Sequence, residues 1–320
     1  MRATRRMLLN AIAAAALGRV AGHAAAQATT FAGAAQPLRL VQGFPAGGAV
    51  DRVARVLAPE MSRDLARPVV GEYLTGANGV RAIRVVADST SDTDVLLFAT
   101  SAIANRTDPI VIESRIDTLR PVIMTSATPM AVVVRASLGI GDMDALVKRL
   151  RSDPPLAYGS SGTGNGTHIA AAELVHQVSG RALHVPYQGS PPVLTDLLGG
   201  HIDFALIGVS GTLAQQPALN LLAVSTARRS RLPHFDRLPT VAETVAPAYD
   251  LSLWQALLAP PRSSAAAIVD LNRRVDAILA KESVRVALAE AGAEPVGGSP
   301  ERAAALIQEE VARFARVVGR

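Results

Sequence analysis

The chain has no cysteine. Disulfides, thiolate metal sites, iron–sulfur clusters and cysteine nucleophiles are excluded together. Aromatic residues make up only 3% of the 320 positions, with a single Trp, too few for a platform that stacks single-stranded nucleic acid. Lysine is nearly missing as well, since Lys148 and Lys281 are the only two among 32 basic residues. Neither has a Ser three positions earlier, which excludes an S-x-x-K nucleophile. There is no Walker A loop, no G-x-G-x-x-G after the first strand, no G-x-S-x-G elbow and no H-E-x-x-H. Nothing in the sequence calls for a cofactor or a metal.

Charge of one sign is less abundant than the pI of about 10.2 suggests. Arg2, Arg5, Arg6 and Arg19 fall within the first 28 residues, which carry no acid, leaving 28 bases against 27 acids in the rest. The high pI reflects the leader and the high pKa of arginine. Arg228, Arg229 and Arg231 form a dense basic cluster, too small for a phosphate-tracking stripe and read as a solvated turn. A nucleic-acid partner is not expected. An apolar content of 49% excludes an extended disordered chain.

Residues 1–28 have the three parts of a secretory signal. Arg2, Arg5 and Arg6 precede an apolar stretch from Met7 to Leu17, and Ala26-Gln27-Ala28 offers a cleavage site. The stretch is too short to span a bilayer. Thr4-Arg5-Arg6-Met7-Leu8-Leu9 also resembles a twin-arginine signal. The expectation is an exported, periplasmic protein large enough to build its core without disulfides.

After the leader, short apolar runs alternate with helical periodicity. Strands are predicted at Leu38–Val41, Val69-Val70, Val95–Phe98, Ala131–Val134, Leu183–Val185, Ile202–Ile207, Leu221–Ser225 and Leu253–Leu258. Helical stripes run through Val50, Val53, Ala54 and Leu57, then Met143 to Leu150, Ala171 to Val178, and Ile268 to Ile278. Pro59 is expected to kink or shorten the first helix. Ser299-Pro300-Glu301 is a helix start, opening a final helix that should bury Ile307, Val311, Phe314 and Val318. This rhythm predicts an α/β protein with mostly parallel sheets, in two lobes that share a cleft.

Two loops suit the capture of an anion. Phe44-Pro45-Ala46-Gly47-Gly48 lies between a strand and a helix, with Asp51 in the first helical turn. Ser160-Ser161-Gly162-Thr163-Gly164-Asn165-Gly166-Thr167 is again strand-to-helix, with His168 at the helix start. Both offer backbone amides and hydroxyls without a cation of their own. Either loop alone is explained as a tight βα turn; the pair favours a ligand site. A Ser161/His168/Asp203 triad is the enzymatic alternative, namely a periplasmic serine hydrolase. A structural role has no repeat or apolar stripe to support it.

The chain resembles the Bug-type, or TctC, periplasmic solute-binding proteins of tripartite tricarboxylate transporters. The resemblance is carried by Phe44–Asp51, by Tyr158–Gly164 with Thr167-His168, and by His184-Val185-Pro186-Tyr187-Gln188-Gly189-Ser190. Thr195–Gly200, Leu238–Glu243 and Gly292–Glu301 add to it, in the same order along the chain. It implies a two-lobed flytrap, each lobe a mostly parallel sheet flanked by helices, with residues 37–128 plus 248–320 as lobe 1 and 129–247 as lobe 2. It implies capture of a small organic carboxylate and delivery to the membrane permease subunits of a transporter by a monomeric protein; helix dipoles and hydrogen bonds to a charged acceptor put the expected affinity near micromolar. A sensor that docks onto a signalling receptor is the alternative within binding. By position, the ligand site would comprise Phe44, Ala46, Gly47, Gly48, Asp51, Thr100, Ser101, Ser160, Ser161, Thr163, His168, Tyr187 and Gly189. The chain departs from the family pattern at Tyr73-Leu74-Thr75-Gly76, at Ile207-Gly208-Val209 and at Asn105-Arg106-Thr107-Asp108-Pro109. These departures are expected around the distal end of the ligand, where Gly208-Val209 suggests fewer polar contacts. Arg106 reads as a surface residue or a partner for a second carboxylate, the surface reading preferred.

Overall fold

The computed structural model describes residues 36–106 and 109–318. The expected leader, Thr107-Asp108 and the side chain of Val318 lie outside the described residues. The chain begins with β1 (Leu38–Gln42), α1 (Ala49–Leu65), β2 (Val69–Tyr73), α2 (Val80–Ala87), β3 (Val95–Thr100), α3 (Pro109–Glu113) and the long β4 (Arg120–Arg135). It continues with α4 (Met143–Leu150), β5 (Leu156–Ser160), α5 (Gly166–Gln177), β6 (Ala182–Pro186), α6 (Ser190–Gly199), β7 (Phe204–Gly208), α7 (Gly211–Ala214), β8 (Leu219–Val224) and α8 (Val241–Thr244). The last part holds β9 (Ser252–Ala259), α9 (Ala265–Ala280), α10 (Glu282–Glu290), β10 (Glu294–Pro295) and α11 (Pro300–Val318).

The strands run in the order β2-β1-β3-β9-β4-β7-β5-β6, with β8 and β10 also paired to β4. The sequence-predicted strands all appear, several of them longer than the apolar runs alone suggested. β1 pairs in parallel with β2 and β3, and β5 in parallel with β6 and β7. Every antiparallel pair involves β4 or β9. These two strands tie two α/β lobes together. Arg120–Pro129 of β4 pairs with β9, and Met130–Arg135 pairs with β7 and β8. Val122, Ile123 and Val132 to Val134 are completely buried, as expected for a strand covered on both faces.

Helix α1 runs through Pro59 to Leu65 instead of ending there. An interior proline costs a helix about 3 kcal/mol. The stripe Val53, Ala54, Leu57 and Met61, all at most 3% exposed, packs against β1, β3 and α9 and outweighs that cost. α11 starts at Pro300 as predicted and buries Ile307 and Phe314, with Val311 half-buried. Arg228, Arg229 and Arg231 are exposed, and Arg229 pairs with Glu243 at 3.0 Å. No helix among the described residues is long and apolar enough to cross a membrane.

Candidate functional site

Four connections converge at the carboxyl ends of parallel strands, where open α/β sheets place their ligands. They are β1 to α1, the 3-10 turn Ser101–Ala104 after β3, β5 to α5, and β6 to α6. Helices α1, α5 and α6 therefore start at one place, with Gly48, Asn165 and Gly189 as their N-cap residues. The dipoles of three helix starts favour negative charge there. Gly48 brings no side-chain cap, so the first amides of α1 are left open; α6 opens Ser190-Pro191-Pro192 and offers only the Ser190 N–H in its first turn, and Asn165 Oδ1 already accepts from Thr167 N and His168 N of α5.

Between these starts lies an inner cavity of about 40 Å³ of water-centre volume, walled by Phe44, Gly48, Thr100, Ser101, Ser161, Gly189 and others. An outer cavity of about 270 Å³ shares Phe44, Pro45 and Ser161 with it and adds Thr75, Asn78, Thr163 and Tyr187. Among the described residues, no charged side chain lines either cavity. Leu253 and Gln255 of β9 also line the inner cavity, and the sequence reading missed them because they sit in an apolar strand far from any glycine loop. The available signal was Gln255 itself, the one polar residue in Leu253–Ala259.

Five of the expected site residues line neither cavity. Ala46 and Gly47 are exposed at the loop tip. Asp51 is 1% exposed, and its carboxylate accepts from Gly47 N at 2.7 Å, Tyr73 Oη at 2.5 Å and Arg55 Nε at 2.8 Å. Burial alone raises the Asp51 pKa, but these donors together outweigh it and hold the group below the usual carboxylate range. Asp51 thus fixes Gly47 in its left-handed conformation, at φ 85°. Ser160 is buried and its Oγ lies 2.7 Å from His184 Nε2.

His168 accepts from Gly164 N at Nδ1 (2.9 Å) and stacks on His184 with ring centroids 4.0 Å apart. Burial, with a smaller contribution from His184, lowers its pKa to about 4, so the ring is neutral at pH 7. It braces the second loop from beneath. The imagined triad does not form. His168 Nδ1 is taken by Gly164, Asp203 binds Arg135 at 2.7 Å and Ala157 N at 2.9 Å, and Ser161 Oγ meets Thr167 and Ser190.

The departures from the family pattern also find places. Tyr73 holds Asp51, while Thr75 and Gly76 line the outer cavity. Gly208 and Val209 line neither cavity. A Cβ on Gly208 would meet Thr128, Leu253 and Ala49 at 3.2–3.4 Å, and the Val209 carbonyl accepts from Arg52 at 3.1 Å. Arg106 is not a surface residue, since its side chain is 17% exposed and pairs with Asp117 at 2.9 Å. It does not line either cavity.

Two α/β lobes joined by crossing strands, with a cavity where helix starts converge, are the architecture of a two-lobed solute-binding protein. Residues 53–320 match the family model described as "Tripartite tricarboxylate transporter family receptor", TctC, and the chain belongs to that family. It is 32% identical over 290 residues to Protein BugT of Bordetella pertussis, covering 89% of each chain. Among solved structures, it resembles the R. palustris protein Rpa4515 with adipate, at 30% identity and a TM-score of 0.83, covering 88% of this chain and 97% of that one. The periplasmic binding protein BugD shares the fold at 24% identity and a TM-score of 0.80, covering 88% and 96%.

Proposed function

We propose that this protein captures a small organic carboxylate in the cleft between its lobes and hands it to the permease subunits of a tripartite tricarboxylate-type transporter. The observation that carries this reading is a cavity at the meeting of three helix starts, with the first amides of α1 uncapped, and with no charged side chain among the described residues of its wall. An anion is the ligand such a wall stabilises, and hydrogen bonds to a charged acceptor contribute about 1.5–3 kcal/mol each. Adipate in a relative at 30% identity supports the same ligand class. The lobes would be 37–128 with 248–320 and 129–247, meeting where β4 passes from one sheet to the other at Pro129-Met130. Export by the leader to the periplasm belongs to the same reading.

The test is isothermal titration of the mature protein with mono- and dicarboxylates, beside thermal melts. Micromolar binding of at least one acid, with a matching rise in Tm, is expected. A flat titration with every acid, on protein shown by mass spectrometry to carry no retained ligand, would overturn the reading.

A further inference from the structure

The floor of the inner cavity is made by β9 and by the turn that ends β3, and it carries its own polar groups. The antiparallel register sets Gln255 of β9 opposite Thr100 of β3 on one side and Ser126 of β4 on the other. Gln255 is fully buried and Ser101 is 1% exposed, and both line the cavity. The Ser126 hydroxyl donates to Gln255 Oε1 at 2.7 Å, which fixes the amide with Nε2 on its other side. Gln255 Nε2 and Ser101 Oγ have no hydrogen-bond partner among the described residues. Buried donors are normally satisfied, and leaving one unpaired costs about as much as losing a hydrogen bond. Two such groups facing one cavity mark a place where a ligand oxygen is received.

Resting on the carboxylate reading above, we infer that Gln255 Nε2 and Ser101 Oγ form a neutral donor pair that reads a second oxygen group of the ligand. The starts of α1 and α6 take one carboxylate, and the floor beside the α5 start takes the other end. The apolar wall between them, with Ala49, Val50 and Leu253, suits a short methylene chain. The ligand class is an α,ω-dicarboxylate. Gln255 Nε2 can only donate, and the Ser101 hydroxyl can turn to donate beside it, so the floor favours an oxygen over an ammonium and discriminates between two acids of equal length that differ only at the far end.

The experiment titrates three six-carbon probes, adipate, hexanoate and 6-aminohexanoate, into the parent protein and two variants. In Gln255→Met, adipate should weaken at least tenfold while hexanoate changes less than twofold. In Gln255→Glu, adipate should be lost and 6-aminohexanoate should gain measurable binding, which a purely structural role would not produce. Ser101→Ala, which removes a hydroxyl without a protein partner, should weaken adipate about fivefold and decides the matter if either Gln255 variant fails to fold. Equal loss of adipate and hexanoate, or adipate binding unchanged, would overturn the assignment and leave the carboxylate reading standing. If the parent, freed of any retained ligand, binds none of the three, the assignment falls, while the carboxylate reading is decided separately by the wider titration above.

Discussion

The Tyr73 hydroxyl lies 2.5 Å from Asp51 Oδ1, and through it the end of β2 holds the turn that precedes α1. The hydrogen bond to Asp51, ahead of burial, raises the Tyr73 pKa, so the phenol stays protonated and donates. Tyr73→Phe removes one of three donor groups from a buried carboxylate. It should cost about 1–3 kcal/mol in urea unfolding. The remaining donors, Gly47 N and Arg55, keep the Asp51 pKa depressed. The stabilisation from Asp51 is therefore complete above its unfolded pKa near 3.9 and is lost as pH falls through the lower folded value. An unchanged urea midpoint in Tyr73→Phe would show that Asp51 does not depend on the tyrosine.

Arg52 joins three distant backbone segments. Its guanidinium donates to the carbonyls of Gly47 at 3.3 Å, Val209 at 3.1 Å and Ala291 at 3.0 Å. Burial lowers its pKa from the ordinary arginine value, with Asp51 opposing, yet no carboxylate bonds it directly. The planar fork spans the three acceptors, and an ammonium cannot. Arg52→Met should destabilise by about 1.5–3 kcal/mol or more, since each bond to a charged donor is in that range. Arg52→Lys should recover only part of the loss. Full recovery by Lys in chemical denaturation would show that charge, and not the fork, matters.

The stacked pair His168 and His184 predicts an acid-sensitive second lobe. Desolvation, with His184 adding to it, depresses the His168 pKa to about 4, below the unfolded value of about 6.5. Above pH 6.5 the contribution is fully present, and it is lost as pH falls from 6.5 towards 4, where the unfolded chain binds the proton first. His184 is shifted in the same direction by burial. His168→Gln keeps an acceptor for Gly164 N but does not titrate. Its denaturation midpoint should fall less steeply between pH 7 and 4 than that of the parent. Identical slopes would assign the acid sensitivity to other groups.

The sequence made most of the architecture legible because each parallel strand is a short apolar run ahead of a helical stripe. It also located the helix starts, since the turns that expose backbone amides are built from glycine and hydroxyl residues. It could not separate residues that touch the cleft from those that hold the touching residues. Asp51, Ser160 and His168 have the composition of ligand groups, yet their hydrogen bonds are spent on Gly47, His184 and Gly164. Gln255 was hidden for the opposite reason. Its place at the cavity depends on β9 returning between β3 and β4, a pairing across more than 120 residues that no local pattern records.

Glycines on facing sides of the cleft give the sharpest contrast. Gly48 is among the expected site residues, but a Cβ there would meet only the Pro45 carbonyl at 3.5 Å, an ordinary contact. A Cβ on Gly166 would lie 2.6 Å from Ser101 Oγ and 2.7 Å from Leu253 Cδ2. Gly166 is the first residue of α5, and its φ is one that alanine adopts without strain. Gly166→Ala should therefore fold normally while its methyl group wedges α5 away from the first lobe and fills the inner cavity. Ligand affinity should drop at least tenfold, with Tm in the absence of ligand within a few degrees of the parent. Gly48→Ala should bind within about threefold of the parent. Equal affinities in the two variants would mean that the ligand does not reach the space between Gly166 and Ser101.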